Sequence, residues 1–200
     1  MEIIGIILTW LVITIIIDTY LMTFPRPVFK KGEYPVEYHI EQKNRIDIQS
    51  KYECAAYSTA YVLRHFGINS NSSELYLNFP SKMKSGFVYP KGIRTSLRQN
   101  GLKTKYFKGN IKTLKYHISK GNPVIVFIKV GKESNYLHFV PVIGYDEEYL
   151  YLAESIGQLA NCNGFYYNRK VPIDEFKKLW NIKSLRIPFY SNTFITTFKK

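Results

Sequence analysis

Two hundred residues suffice for one domain, or one domain with an appendage, and the 16% aromatic fraction, nearly all Tyr and Phe, can build a core without covalent staples. Two cysteines are too few for a disulfide framework, so Cys54 and Cys162 are expected as free thiols. The 28 basic against 15 acidic side chains, net +13, call for an anionic counterpart. Lysines 103, 105, 108, 112, 115 and 120 form a basic stretch without an RNA-binding, helix-turn-helix or zinc-finger signature, so nucleic acid is set aside and phospholipid headgroups are the expected counter-charge.

Residues 3–24 contain one charge, Asp18 near their far end, and are long enough at about 1.5 Å per residue to cross roughly 30 Å of hydrocarbon. A cleaved signal peptide needs a basic start and a small-residue cleavage site, whereas this stretch follows Met1-Glu2 and has no Ala-x-Ala pattern. A retained transmembrane anchor over 1–24 is therefore expected. Arg26, Lys30, Lys31, Lys43 and Arg45 all follow it, which puts the rest of the chain on the cytoplasmic side by the positive-inside rule. Residues 25–44, with Pro25, Pro27, Gly32 and Pro35 among charges, read as a tether, leaving 45–200 as the folded domain.

After Cys54, small and apolar residues at 55, 56, 60, 62, 63 and 66 trace a wide helical band that Gly67 ends. A short helix at 73–77, a second at 91–100 and a strand at 102–107 follow. Asn110 caps a helix through Ser119, and then the period changes to strands at 124–130, 138–145 and 149–154. Helices first and strands later predict an α+β domain: a helical lobe carrying Cys54 and an antiparallel sheet.

A cysteine at the mouth of a helix has unpaired N–H groups and the positive end of the dipole at hand, which favour a thiolate, and Gln49 just upstream offers an amide donor. The bland alternative is a small buried hydrophobe. A nucleophile needs a base, and four histidines compete. His39 lies in the tether, His65 about 16 Å along the Cys54 helix, and His117 beside the apolar face of its own helix. His138, at the start of a strand after a polar loop, is selected by elimination. If Tyr145 pairs with Tyr149 across a three-residue loop, Val140 lies opposite Glu154, and His138 and Glu154 become same-face diagonal neighbours. Glu154 is also in phase with Leu150 and Leu152, where a carboxylate requires a partner. A two-residue loop would reverse that parity.

Taken in order, Gln49, Cys54, the helix ending at Gly67, the run His138-Phe139-Val140-Pro141-Val142-Ile143-Gly144-Tyr145-Asp146, the acid at 154 and the stretch Ile173 to Trp180 resemble the papain-like bacteriocin-processing peptidases, which cleave double-glycine leader peptides. The resemblance covers about residues 45–182. It implies a papain-like fold, Cys54 as nucleophile, His138 as base, Glu154 as orienting acid, Gln49 as oxyanion donor, and a peptide or protein substrate. Two positions depart from that family, Ala55 where glycine is usual and Glu154 where aspartate is usual, and no P-loop of an attached exporter is present. No metal or cofactor is implied, since no Cys/His cluster has ligand spacing and there is no His-Glu-x-x-His. The same triad would also serve amide hydrolysis or acyl transfer on a non-peptide substrate. An inactive peptide-holding module at the membrane is the reading of another class, and a charge-driven lipid or nucleic-acid binder a further one.

Overall fold

The computed structural model describes residues 2–21, 24–28, 32–134, 136–183 and 189–199, with the side chains of 17–21 excepted. Helix α1 spans Glu2–Leu21, and its apolar side chains from Ile3 to Ile16 are exposed. Among the described residues no helix is long and apolar enough to cross a membrane, so the expected span is not displayed here. Lys30 and Lys31 of the expected basic flank lie outside the described residues.

The remainder is built on one eight-stranded mixed sheet. Its strands are β1 (Arg26–Pro27), β2 (Tyr38–His39), β3 (Lys103–Lys108), β4 (Val124–Lys129), β5 (Leu137–Tyr145), β6 (Tyr149–Leu152), β7 (Arg169–Pro172) and β8 (Thr193–Phe198). They run in the order β1-β3-β8-β4-β5-β6-β7, with β2 added to β5, and among the described residues only the β1–β3 pair is parallel. The stretch expected as a tether thus contributes two short strands, and His39 is held in one of them. The C-terminal strand β8 inserts between β3 and β4.

Helices cover both faces of the sheet, which is expected to be antiparallel and is mixed because the short edge strand β1 runs parallel to β3. Alternation along β4 sends Ile125 and Phe127 into one core and Val124, Val126 and Ile128 into another. The first core packs against α2 (Cys54–His65) and α4 (Pro90–Gln99), with α3 (Ser72–Leu77) beside α2. The second packs against α5 (Ile111–Ile118) and α6 (Ile173–Trp180). Asn110 caps α5 with a reciprocal pair of bonds to Thr113, and Gly67, Gly101 and Gly121 follow α2, α4 and α5 at positive φ, as their C-terminal stops require.

The hairpin joining β5 to β6 corrects the expected pairing. Tyr145 pairs with Leu150, one residue beyond the expected Tyr149, so the loop has four residues, shaped by Asp146, which accepts the N–H groups of Glu148 and Tyr149 at 2.8 and 2.6 Å. A bulge between Val142 and Gly144 absorbs the extra residue. Val142 then faces Leu152, the expected register, and the Ala153 N–H donates to the Pro141 carbonyl at 3.0 Å. The end of the hairpin carrying His138 and Glu154 therefore keeps the predicted parity.

Candidate active site

Cys54 is the first residue of α2, a helix whose side chains from Ala55 to Leu63 are all buried. Burying Leu63 alone is worth about 1.5–3 kcal/mol, so packing holds the helix where its start requires. Its N-cap, Glu53, puts no side-chain bond on the first turn; Glu53 Oε2 instead accepts from the Ser50 N–H and hydroxyl, both at 3.0 Å. Among the described hydrogen bonds the Cys54 N–H has no acceptor. Cys54 and Cys162 are both free thiols.

His138 is the second residue of β5, opposite Ile128, and is 1% exposed. Its Nε2 donates to Glu154 Oε1 at 2.7 Å. Nδ1 is buried and makes no hydrogen bond of normal geometry, yet Cys54 lies near enough for its sulfur to favour the charged ring. Burial works against the imidazolium; the Glu154 carboxylate, with help from Cys54, more than offsets it, and the ring's pKa is raised above its ordinary value.

Glu154 lies two residues beyond β6 and is completely buried. A carboxylate there is tolerable only when fully paired. Oε1 accepts from His138 and from the Ile156 N–H at 2.7 Å, and Oε2 accepts from Arg169 Nη1 at 2.8 Å. Burial pushes the acid upward, and the His138 charge and hydrogen bond, the Ile156 N–H and Arg169 together hold it well below the usual carboxylate range.

Gln49 is tied to the residue after the acid. Its N–H donates to the Ser155 carbonyl and its Oε1 accepts from the Ser155 hydroxyl, each at 2.8 Å, while Nε2 donates to the Lys51 carbonyl. A carbonyl can only accept, so the Lys51 bond fixes which end of the amide is NH₂, and the second amide hydrogen is left for another acceptor.

A cavity of about 390 Å³ is lined by Cys54, His138, Gln49 and Gln158 among others, and a second, apolar one of about 180 Å³ by Cys54, Ala55, Val88, Phe127 and Tyr190. Tyr52, Phe87, Tyr136 and Leu137 border both, so the two meet at Cys54 as one cleft with a polar and an apolar limb. A further cavity, about 870 Å³, lies between α1 and the β1 edge and is lined by none of these groups.

The structure thus brings Cys54, His138 and Gln49 to one cleft, with Glu154 buried behind His138. It places the other histidines elsewhere: His39 against Tyr151, His65 near Asn122, and His117 over Phe107. Sequence reasoning missed Ser155, Asn168 and Arg169. Arg169 is in phase with buried Val171 on β7, and an inward cation on an apolar face is a signal that a carboxylate lies opposite.

A cysteine-headed core helix set beside an antiparallel ladder that carries histidine and acid is the papain-like α+β arrangement. Solved structures of this fold superpose on the chain. The peptidase domain of Streptococcus ComA, a bi-functional ABC transporter involved in quorum sensing, is 16% identical with a TM-score of 0.61, covering 80% of this chain and 100% of that one. A double-glycine motif protease from an AMS/PCAT transporter, in complex with its leader peptide, is 18% identical with a TM-score of 0.57, covering 79% and 93%. Xylellain, a cysteine protease from Xylella fastidiosa, is 13% identical with a TM-score of 0.59, covering 90% and 92%. No curated protein matches the sequence. The model of the Peptidase_C39-like family matches residues 35–184, and the chain belongs to that family.

Proposed function

We propose that this chain is a cysteine peptidase, held at a membrane by residues 3–24, that cleaves peptides of the double-glycine leader type. One observation carries the reading. His138 has one ring nitrogen committed to a buried acid and the other free, beside Cys54, in a cleft that has room for an extended peptide.

In the first half-reaction Cys54 Sγ gives its proton to His138 Nδ1 and attacks the scissile carbonyl carbon. The carbonyl oxygen takes up negative charge facing the Cys54 N–H and the free amide hydrogen of Gln49. The intermediate collapses, the C–N bond breaks, and imidazolium His138 passes its proton to the departing amine. Water, deprotonated by His138, then attacks the thioester, and the acid product leaves with Sγ reprotonated. Glu154 holds the ring with Nδ1 toward the sulfur and stabilises its charged form.

The leader-peptide preference draws on the double-glycine protease, whose solved complex contains a leader peptide. Membrane attachment draws on α1, whose apolar side chains from Ile3 to Ile16 face no protein core, an exposure water disfavours. With the positive flank after it, the anchored domain would lie on the cytoplasmic side.

Incubating the full chain with peptides containing and lacking a Gly-Gly site, and analysing products by mass, tests the activity. Cleavage after the glycines, lost by about 10³-fold or more in Cys54→Ala, is expected. Cleavage that survives Cys54→Ala sinks the reading, and tight binding without cleavage in the wild type would make the chain a peptide-holding module. Resistance of the membrane-bound chain to carbonate extraction tests the anchor, and protease accessibility in intact cells tests its orientation.

A further inference from the structure

Glu154 is clamped from both ends by two consecutive residues, Asn168 just before β7 and Arg169 at its start. Asn168 Oδ1 accepts the Glu154 N–H at 2.7 Å, and Asn168 Nδ2 donates to the Glu154 carbonyl at 2.8 Å, so the acid's backbone is held in two directions by one side chain. Arg169, buried like the acid, reaches Glu154 Oε2 at 2.8 Å. Oε1 meanwhile serves His138 and the Ile156 N–H. The two oxygens therefore work in opposite directions, one toward the imidazole on β5 and one toward β7. A side chain shorter by one C–C bond, about 1.5 Å, would not span that gap.

We propose that Asn168 and Arg169 are positioning residues for the catalytic acid, and that Arg169 is the reason glutamate stands at 154. This rests on the peptidase reading given above. Arg169 touches neither cavity at Cys54, so it acts only through Glu154. It fixes the carboxylate's rotation about the Cγ–Cδ bond, keeping Oε1 in line with Nε2, and it supplies a second cation so that the buried carboxylate does not depend on His138 for its charge balance. His138 is thereby free to lose and regain its proton during turnover without leaving an unpaired anion in the core.

A double-mutant cycle on the full chain tests this, using Arg169→Met, Glu154→Gln and the pair. The readouts are kcat and KM on a cleaved peptide and, without any substrate, the rate at which iodoacetamide carbamidomethylates Cys54, resolved by mass from Cys162. Arg169→Met is expected to lower kcat and the alkylation rate by roughly 10- to 100-fold, the range typical of residues that orient a catalytic ligand from behind, with KM unchanged. The double variant is expected to be no slower than Glu154→Gln alone, and Arg169→Lys, which keeps the charge but not the fork, to lie between Met and wild type. Should Arg169→Met not fold, the double variant contains no buried unpaired charge, and its comparison with Glu154→Gln decides the question. Losses that multiply in the double variant, or a lysine no better than methionine, overturn the proposal while leaving the peptidase reading standing. A wild-type Cys54 that alkylates no faster than free cysteine overturns both.

Discussion

Gln49 is held at three atoms, and each bond restricts its amide in a different way. The backbone N–H and Oε1 both engage Ser155, the neighbour of the acid, while one Nε2 hydrogen goes to the Lys51 carbonyl. Acid and amide are thus positioned by one dipeptide, Glu154-Ser155, and a shift of either would misplace the other. Gln49→Ala is expected to lower kcat by about 10²–10³, the cost of one oxyanion donor, and to leave KM nearly unchanged. Gln49→Glu, isosteric but without the donor, should not rescue it. Steady-state kinetics on a cleaved peptide check both; a Gln49→Ala variant with wild-type kcat removes the amide from the mechanism. Cys54, His138 and Glu154 were legible because each had a local sign: Cys54 before an apolar helical band, His138 at a strand start, and Glu154 in phase with two leucines. Arg169 and Asn168 had no such sign in combination. Their role depends on β7 lying beside β6, a pairing that only the assembled sheet specifies.

At the scale of elements, the β5–β6 hairpin explains why parity at the site was predicted correctly from a turn that was not. The turn takes its geometry from Asp146, whose side chain accepts two N–H groups, and the bulge returns the strands to register before the site is reached. Gly144, at the bulge, lets β2 approach β5 closely. A Cβ there would lie 2.8 Å from His39 Nδ1 and 2.9 Å from the Tyr38 carbonyl, both on β2, whose backbone is itself bonded into the sheet. Gly144→Ala should therefore cost about 1–3 kcal/mol, read as a lower urea midpoint, with faster amide exchange concentrated at Tyr38 to Ile40. An unchanged midpoint would mean that β2 contributes nothing to the fold. Helices α2 to α5 and strands β3 to β6 were readable from local pattern, and α6 only through the family resemblance. β8 was not, because Thr193, Thr196 and Thr197 are buried alongside Phe194 and Ile195, so no alternation of polarity marks it. β1 and β2, two residues each, carry no periodic signal and exist only through pairing with distant strands.

At the scale of the whole molecule, the buried His138–Glu154 pair links stability to pH on both sides of a window. His138 has a folded pKa raised from 6.5, so its contribution is complete below about 6.5 and is lost as pH rises through the raised value. Glu154 has a folded pKa lowered from 4.5, so its contribution is complete above about 4.5 and is lost as pH falls through the lowered value. Both are present in full only between those two ordinary values. Other titrating groups, such as Asp146, held low by Tyr151 and two N–H groups against the effect of burial, add their own slopes. Subtracting a His138→Gln/Glu154→Gln variant cancels them, since that variant removes these two titrating groups and no other, the buried Arg169 it leaves without a carboxylate staying charged across the range. The difference in urea midpoint between wild type and variant should be widest from about pH 4.5 to 6.5 and shrink in both directions. A difference that stays flat from about pH 3 to 10 would mean that the two side chains meet as a neutral pair, and the imidazolium needed to protonate a leaving amine would then have no support from Glu154.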